Sequence, residues 1–181
     1  MVHSEAVTVS RGLRIAPLAM LATERPPHAL NQWQQAAFDK IRGQLDTGAF
    51  GAFLLQGVTG SGKTEVYLSA IEHTLKLGRA ALLLVPEIAL TPAVAGQFLH
   101  RFGDRVAILH SAFSDNERTE QWRRIRSGEA GVVVGTRSGV FAPIQNLGLI
   151  IVDEEHDQSY KQQEAPRYNG RDVAVVRARE L

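Results

Sequence analysis

Five short apolar runs constrain this chain more than any other feature: residues 50–56, 80–85, 106–109, 132–134 and 149–152. None alternates apolar with polar residues, so each predicts a strand buried on both faces rather than one with a wet side. Between the runs lie stretches of helical character. Asn31 is placed to cap a helix over residues 32–45, and residues 65–71 continue as an amphipathic helix ending near Gly78. Residues 91–102 form another, with Pro92 in the tolerated first turn, residues 115–127 a charged one, and residues 171–180 a closing one. Strands alternating with helices, and apolar throughout, predict an α/β fold: a parallel sheet covered by helices on both faces.

The chain has 181 residues, room for one such domain and a short extra segment. That segment is residues 1–29, which end in the punctuation of Pro26-Pro27 and read as a linker or the tail of a preceding module. There is no cysteine, which excludes disulfides and a thiolate zinc site within this chain. No run approaches the ~20 apolar residues of a membrane span and no secretory pattern opens the chain, so a cytoplasmic protein with no membrane partner is the expectation. A net charge of +1 gives no global attraction for a polyanion, so any nucleic-acid surface must be local.

Directly after the first apolar run stands Gly57-Val58-Thr59-Gly60-Ser61-Gly62-Lys63-Thr64, which satisfies G-x-x-x-x-G-K-[ST] at every required position. Strand, glycine loop and helix is the context that gives this motif its chemistry. The N–H groups of a helix N-terminus and its partial positive charge suit a polyphosphate. Glycines let the backbone curl around the phosphates, Lys63 reaches the β- and γ-phosphates, and the Thr64 hydroxyl ligates Mg²⁺. A glycine-rich turn that merely caps a helix is the bland alternative. The motif and its flanks predict a P-loop nucleoside-triphosphate site.

The last apolar run ends at Asp153-Glu154-Glu155-His156. Open α/β sheets place their chemistry at the C-terminal ends of strands. Hydrolysis of a γ-phosphoryl bond needs one group to hold Mg²⁺ and another to orient the attacking water, roles assigned to Asp153 and Glu154. Gly135-Thr136-Arg137-Ser138 follows the fourth run at the same edge, where Thr136 and Arg137 suit a phosphodiester backbone. Residues 86–92 occupy the equivalent place after the second run. Arg118, Arg123, Arg124 and Arg126 crowd one helix, which a solvated face explains better than a binding patch. The polar stretch 158–168 interleaves Tyr160 and Tyr168 with Lys161 and Arg167, a composition suited to unpaired nucleotides or to anchoring a loop.

Together these strings resemble the superfamily 2 DExH helicases, and among them the bacterial primosomal replication-restart helicases. The resemblance runs over residues 30–181. Besides the two motifs above it rests on Leu30-Asn31-x-x-Gln34, Glu65-Val66-Tyr67, Val85-Pro86-Glu87-Ile88-Ala89-Leu90-Thr91-Pro92, His110-Ser111, Ser159-Tyr160-Lys161-Gln162-Gln163-Glu164 and Arg167-Tyr168-x-x-Arg171-Asp172. It implies a RecA-like P-loop NTPase lobe with ATP and Mg²⁺ as cofactors. Gln34 becomes the adenine contact, and Gly57, Val58, Thr59, Gly60, Ser61, Gly62, Lys63 and Thr64 the phosphate cradle. Lys63, Asp153, Glu154 and His156 are the catalytic set, His156 coupling hydrolysis to DNA. Thr136, Arg137, Tyr160, Lys161, Arg167 and Tyr168 become DNA-contacting or coupling residues. Ala165-Pro166 stands where relatives can have a tryptophan.

The implied activity is a DNA-dependent ATPase and 3′–5′ helicase that restarts stalled forks and assembles the primosome. Its implied partners are single-stranded and fork DNA, other primosome proteins and single-stranded-DNA-binding protein, with a nucleoid-associated location. Relatives also have an N-terminal DNA-binding region, a zinc-binding cysteine module and a second lobe with an arginine finger. A Ser-Ala-Thr motif and its strand should follow the closing helix, between the phosphate-loop and acidic strands. The expectation is therefore a lobe incomplete at its C-terminus, with residues 1–29 left from a DNA-binding module and a gap in the sheet. As an isolated chain it would bind nucleotide or DNA with little turnover. A small-molecule kinase would share only the phosphate loop.

Overall fold

The computed structural model describes residues 29–58 and 60–181. The linker expected over residues 1–29 lies, but for Ala29, outside the described residues, as does Thr59 of the phosphate loop.

The chain opens with α1 (Gln32–Thr47), whose start is fixed by a capping box: the Asn31 side chain accepts from the Gln34 amide while the Gln34 side chain accepts from the Asn31 amide. Gly48 ends it in the left-handed conformation at φ 70°. After the glycine loop come α2 (Lys63–Lys76), β1 (Ala80–Leu84), α3 (Pro92–Phe102), β2 (Val106–Leu109), α4 (Asp115–Ser127), β3 (Val132–Gly135), β4 (Leu147–Val152) and α5 (Gly170–Glu180). Thr91 caps α3 with Pro92 in its first turn, and Ser114 with Glu117 forms a second capping box on α4.

The strands form one parallel sheet in the order β2-β3-β1-β4. Along β1, Leu82 and Leu84 point to one face and Ala81 and Leu83 to the other, so successive residues feed two separate cores. The first core is closed by Ile125 of α4, Ala174 of α5 and Tyr160, and the second by Leu68 and Ile71 of α2 and Phe98 of α3. This double covering is why the strands have no polar positions. α1 packs outside the sheet against α2, where Phe38 meets His73 edge-on and Asp46 lies 2.6 Å from the His73 imidazole.

One expected strand does not form. Residues 50–56 make no ladder, and Phe53 and Leu54 are exposed by 52% and 78%. A strand must give its N–H and C=O groups to a neighbour. The open edge on that side belongs to β4, and no backbone hydrogen bond joins it to residues 50–57. The two segments instead wall a cleft of about 790 Å³, lined by Phe53, Leu55, Val66, Ile150 and Val152 and reaching Lys63 and Glu154 at its end.

Candidate nucleotide site

The connections leaving β1, β3 and β4 at their C-terminal ends carry Glu87, Thr136 with Arg137, and Asp153 with Glu154. The parallel sheet thus gathers the sequence motifs on one edge. The glycine loop arrives at that edge through α2. Gly62 precedes the helix at φ 81°, a left-handed conformation that favours glycine, and a Cβ there would lie 2.3 Å from Gln34 Nε2. Gln34 reaches this point because its other end is held at α1. Its Nε2 donates to Ser61 O and Gly62 O at 3.2 and 3.3 Å while its Oε1 accepts from Asn31 N. The helix-capping glutamine is therefore also a strut under the loop.

Loop and acidic segment meet at Lys63. Its Nζ donates to Gly57 O at 2.8 Å and lies 3.5 Å from Glu154 Oε1. Glu154 adopts φ 44°, an uncommon conformation for a residue with a side chain. Its second oxygen is 3.8 Å from His156 Nε2, on a side chain 75% exposed. Glu155 turns away and pairs with Arg171 of α5 at 3.0 Å.

Asp153 is fixed from three directions. Its N–H donates to Leu84 O at 2.9 Å, extending the β1–β4 pairing by one residue. Its carbonyl accepts from the Tyr160 hydroxyl at 2.7 Å, and its Oδ1 accepts from the Tyr67 hydroxyl at 2.9 Å. Burial, then the Asp153 charge, pushes the pKa of both phenols well above the ordinary tyrosine value, so both remain neutral donors. Tyr67 had no role assigned from the sequence. The signal was its spacing: three residues after Thr64 and four after Lys63, it shares their helix face.

Among the described residues, no group of three or more histidine, cysteine or acidic side chains is arranged to hold a metal ion by itself. Mg²⁺ keeps several waters and takes one or two protein oxygens beside the phosphates it accompanies. The Asp153 carboxylate and the Thr64 hydroxyl are hard oxygen donors of that kind. Thr64 sits one turn nearer the start of α2 than Tyr67, whose hydroxyl reaches Asp153.

The residues picked for DNA separate into two groups. Lys161 and Arg167 are exposed, and Arg167 Nε donates to Gln163 O. Tyr160 is 1% exposed, so of contact and coupling only coupling is open to it, through its bond to Asp153. Arg137 is turned inward along the protein: one guanidinium nitrogen donates to Ser159 O and Lys161 O, both at 3.2 Å, and the group lies 5.9 Å from the Tyr168 ring centroid. Its Nε is buried without a partner. Tyr168 also packs edge-on against Phe141, and Thr136 accepts the Gly139 amide at its carbonyl. Of the arginines of α4, Arg118 pairs with Asp115, Arg123 with Glu120 and Glu129, and Arg124 with the carbonyls of Asp104 and Val106, while Arg126 is exposed. As the composition suggested, they are a solvated face.

No helix among the described residues is long and apolar enough to cross a membrane. Residues 31–173 match the family described as DEAD/DEAH box helicase. Similar proteins include the replication restart protein PriA of Bacillus subtilis, 53% identical over 152 residues, which is 84% of this chain and 19% of that protein. The PriA proteins of Haemophilus influenzae and Treponema pallidum are each 50% identical, over 84% and 83% of this chain and 20% and 22% of their own lengths. The chain thus spans about a fifth of the relatives it matches. With its phosphate loop and acidic strand end brought to one edge of a parallel sheet, the chain belongs to the DEAD/DEAH box helicase family and forms its first, RecA-like lobe.

Proposed function

We propose that this chain is the ATP-binding lobe of a DNA-dependent ATPase and 3′–5′ DNA helicase that acts in replication restart at stalled forks. The observation that carries the reading is the approach of Lys63 Nζ to within 3.5 Å of Glu154 Oε1, beside an Asp153 held by two tyrosines. Lys63 and the loop amides hold the phosphates and Gln34 the adenine. Thr64 and Asp153 hold Mg²⁺, which neutralises charge on the phosphates. Glu154 is the group that orients the attacking water, with His156 passing its state toward DNA. Thr136, Lys161, Arg167 and Tyr168 face the strand, while Arg137 and Tyr160 tie the DNA-side loop to the acidic end of β4.

The similarity to PriA supports a place in primosome assembly on single-stranded and fork DNA, among other primosome proteins and single-stranded-DNA-binding protein at the nucleoid. Any zinc in that larger protein draws its thiolates from elsewhere, since this chain has no cysteine. The test is binding of a fluorescent ATP analogue and steady-state ATP hydrolysis, each with and without single-stranded DNA, beside Lys63→Ala. Mg²⁺-dependent binding that disappears in Lys63→Ala supports the nucleotide site, and turnover stimulated by DNA adds the coupling. Binding that is absent, or unchanged in Lys63→Ala, overturns the reading.

A further inference from the structure

We infer that Tyr67 is a positioning residue for the Asp153 carboxylate and sets the magnesium requirement of nucleotide binding. The inference rests on Asp153 being a Mg²⁺ ligand. The backbone of Asp153 is already immobilised at its N–H by Leu84 and at its carbonyl by Tyr160. What remains free is rotation of its side chain, and the one hydrogen bond among the described residues that fixes it is that from Tyr67. The bond spans 86 positions of sequence, linking the phosphate-loop helix to the acidic strand end.

A phenol suits this task for a chemical reason. A lysine or arginine here would orient the carboxylate but also neutralise it, leaving little charge for a cation. A neutral hydroxyl occupies Oδ1 and leaves the charge and Oδ2 to a metal ion. Hydrogen-bonded partners of metal-binding carboxylates commonly govern affinity in this way. Because Tyr67 lies on the same helix face as Lys63 and Thr64, a single rigid element would set three of the site's groups. The ring contributes to the core beneath the sheet, which Tyr67→Phe preserves, so that substitution removes the hydroxyl alone.

The experiment measures binding of a fluorescent ATP analogue to the full 181-residue chain across a Mg²⁺ series, with a point in EDTA and a melting curve for each variant. Tyr67→Phe is expected to raise the Mg²⁺ midpoint about tenfold while leaving binding in EDTA and the melting temperature unchanged. Asp153→Asn should raise the midpoint further, and adding Tyr67→Phe to it should change nothing more. A Tyr67→Phe midpoint equal to wild type, a lowered one, or an equal loss of binding in EDTA overturns the inference. If Asp153→Asn itself leaves the midpoint in place, Asp153 is not the ligand, and the underlying reading fails instead.

Discussion

Arg137 can be a direct DNA contact or the tether of the loop that follows the acidic motif, and one substitution separates the two. Its guanidinium makes two hydrogen bonds of 3.2 Å from a single nitrogen to the carbonyls of Ser159 and Lys161, and lies over Tyr168. Long, shared bonds sit at the ordinary end of the range, and a half-exposed cation on an aromatic face adds less. Together they stabilise the closed loop by about 2–3 kcal/mol. The loop's own reporters are the amides of Tyr160, Lys161 and Gln162, bonded to Asp157, Gln158 and Tyr168. In Arg137→Ala these amides should exchange with deuterium about 30- to 150-fold faster, while protection in β1 and β3 stays near wild type. Arg137→Lys, which keeps the charge but loses the planar fork, should recover little of that protection. Unchanged exchange in Arg137→Ala would refute the tether. Unchanged exchange with weakened binding of single-stranded DNA would make the arginine a direct contact.

Two further outcomes follow from local geometry. Gly62→Ala forces a side chain into φ 81° and against Gln34 Nε2. The left-handed strain is about 1–2 kcal/mol, so nucleotide affinity should fall roughly tenfold, and an unchanged affinity would show that the loop does not need this conformation. Glu72 bridges Lys76 at 3.0 Å and Arg101 at 2.6 Å, and hydrogen bonds from first Lys76 and then Arg101 lower its pKa. A lowered carboxylate pKa contributes stability that is present above the unfolded value of about 4.3 and lost as pH falls through the folded one. Glu72→Gln should therefore cost about 0.5 kcal/mol in urea unfolding at neutral pH and less at acid pH below the unfolded value. An equal cost at both would exclude the ion pairs as its source.

What could be read from the sequence was whatever has a local cause. Asn31 and Pro92 announce two helix starts, and both helices begin there. The runs at 80–85, 106–109 and 132–134 became buried strands, and 149–152 a partly buried one at the edge of the sheet. Residues 50–56 carry the same signal, but a strand exists only beside a partner, and partnership is not written in a single segment. The same limit applied at the site. Loop and acids were visible as strings, whereas the inward turn of Arg137 was not, because its partners are backbone carbonyls, which have no signature in a sequence. Tyr160 lies seven residues past Asp153 with no periodicity to link them, and only the fold turns its hydroxyl back to that carbonyl.

Strands apolar on both faces have one more consequence. Where one face is wet, a slip of one residue turns every apolar side chain outward, and the sheet resists it. Here a slip of β4 against β1 exchanges one apolar side chain for another, so the strands themselves barely specify their alignment. Yet a slip would carry Asp153 about 3.3 Å along the sheet, away from both tyrosine hydroxyls. The polar bonds at the strand's end therefore act as the detent that sets its position. In this lobe, the groups that would do the chemistry also keep the ruler straight.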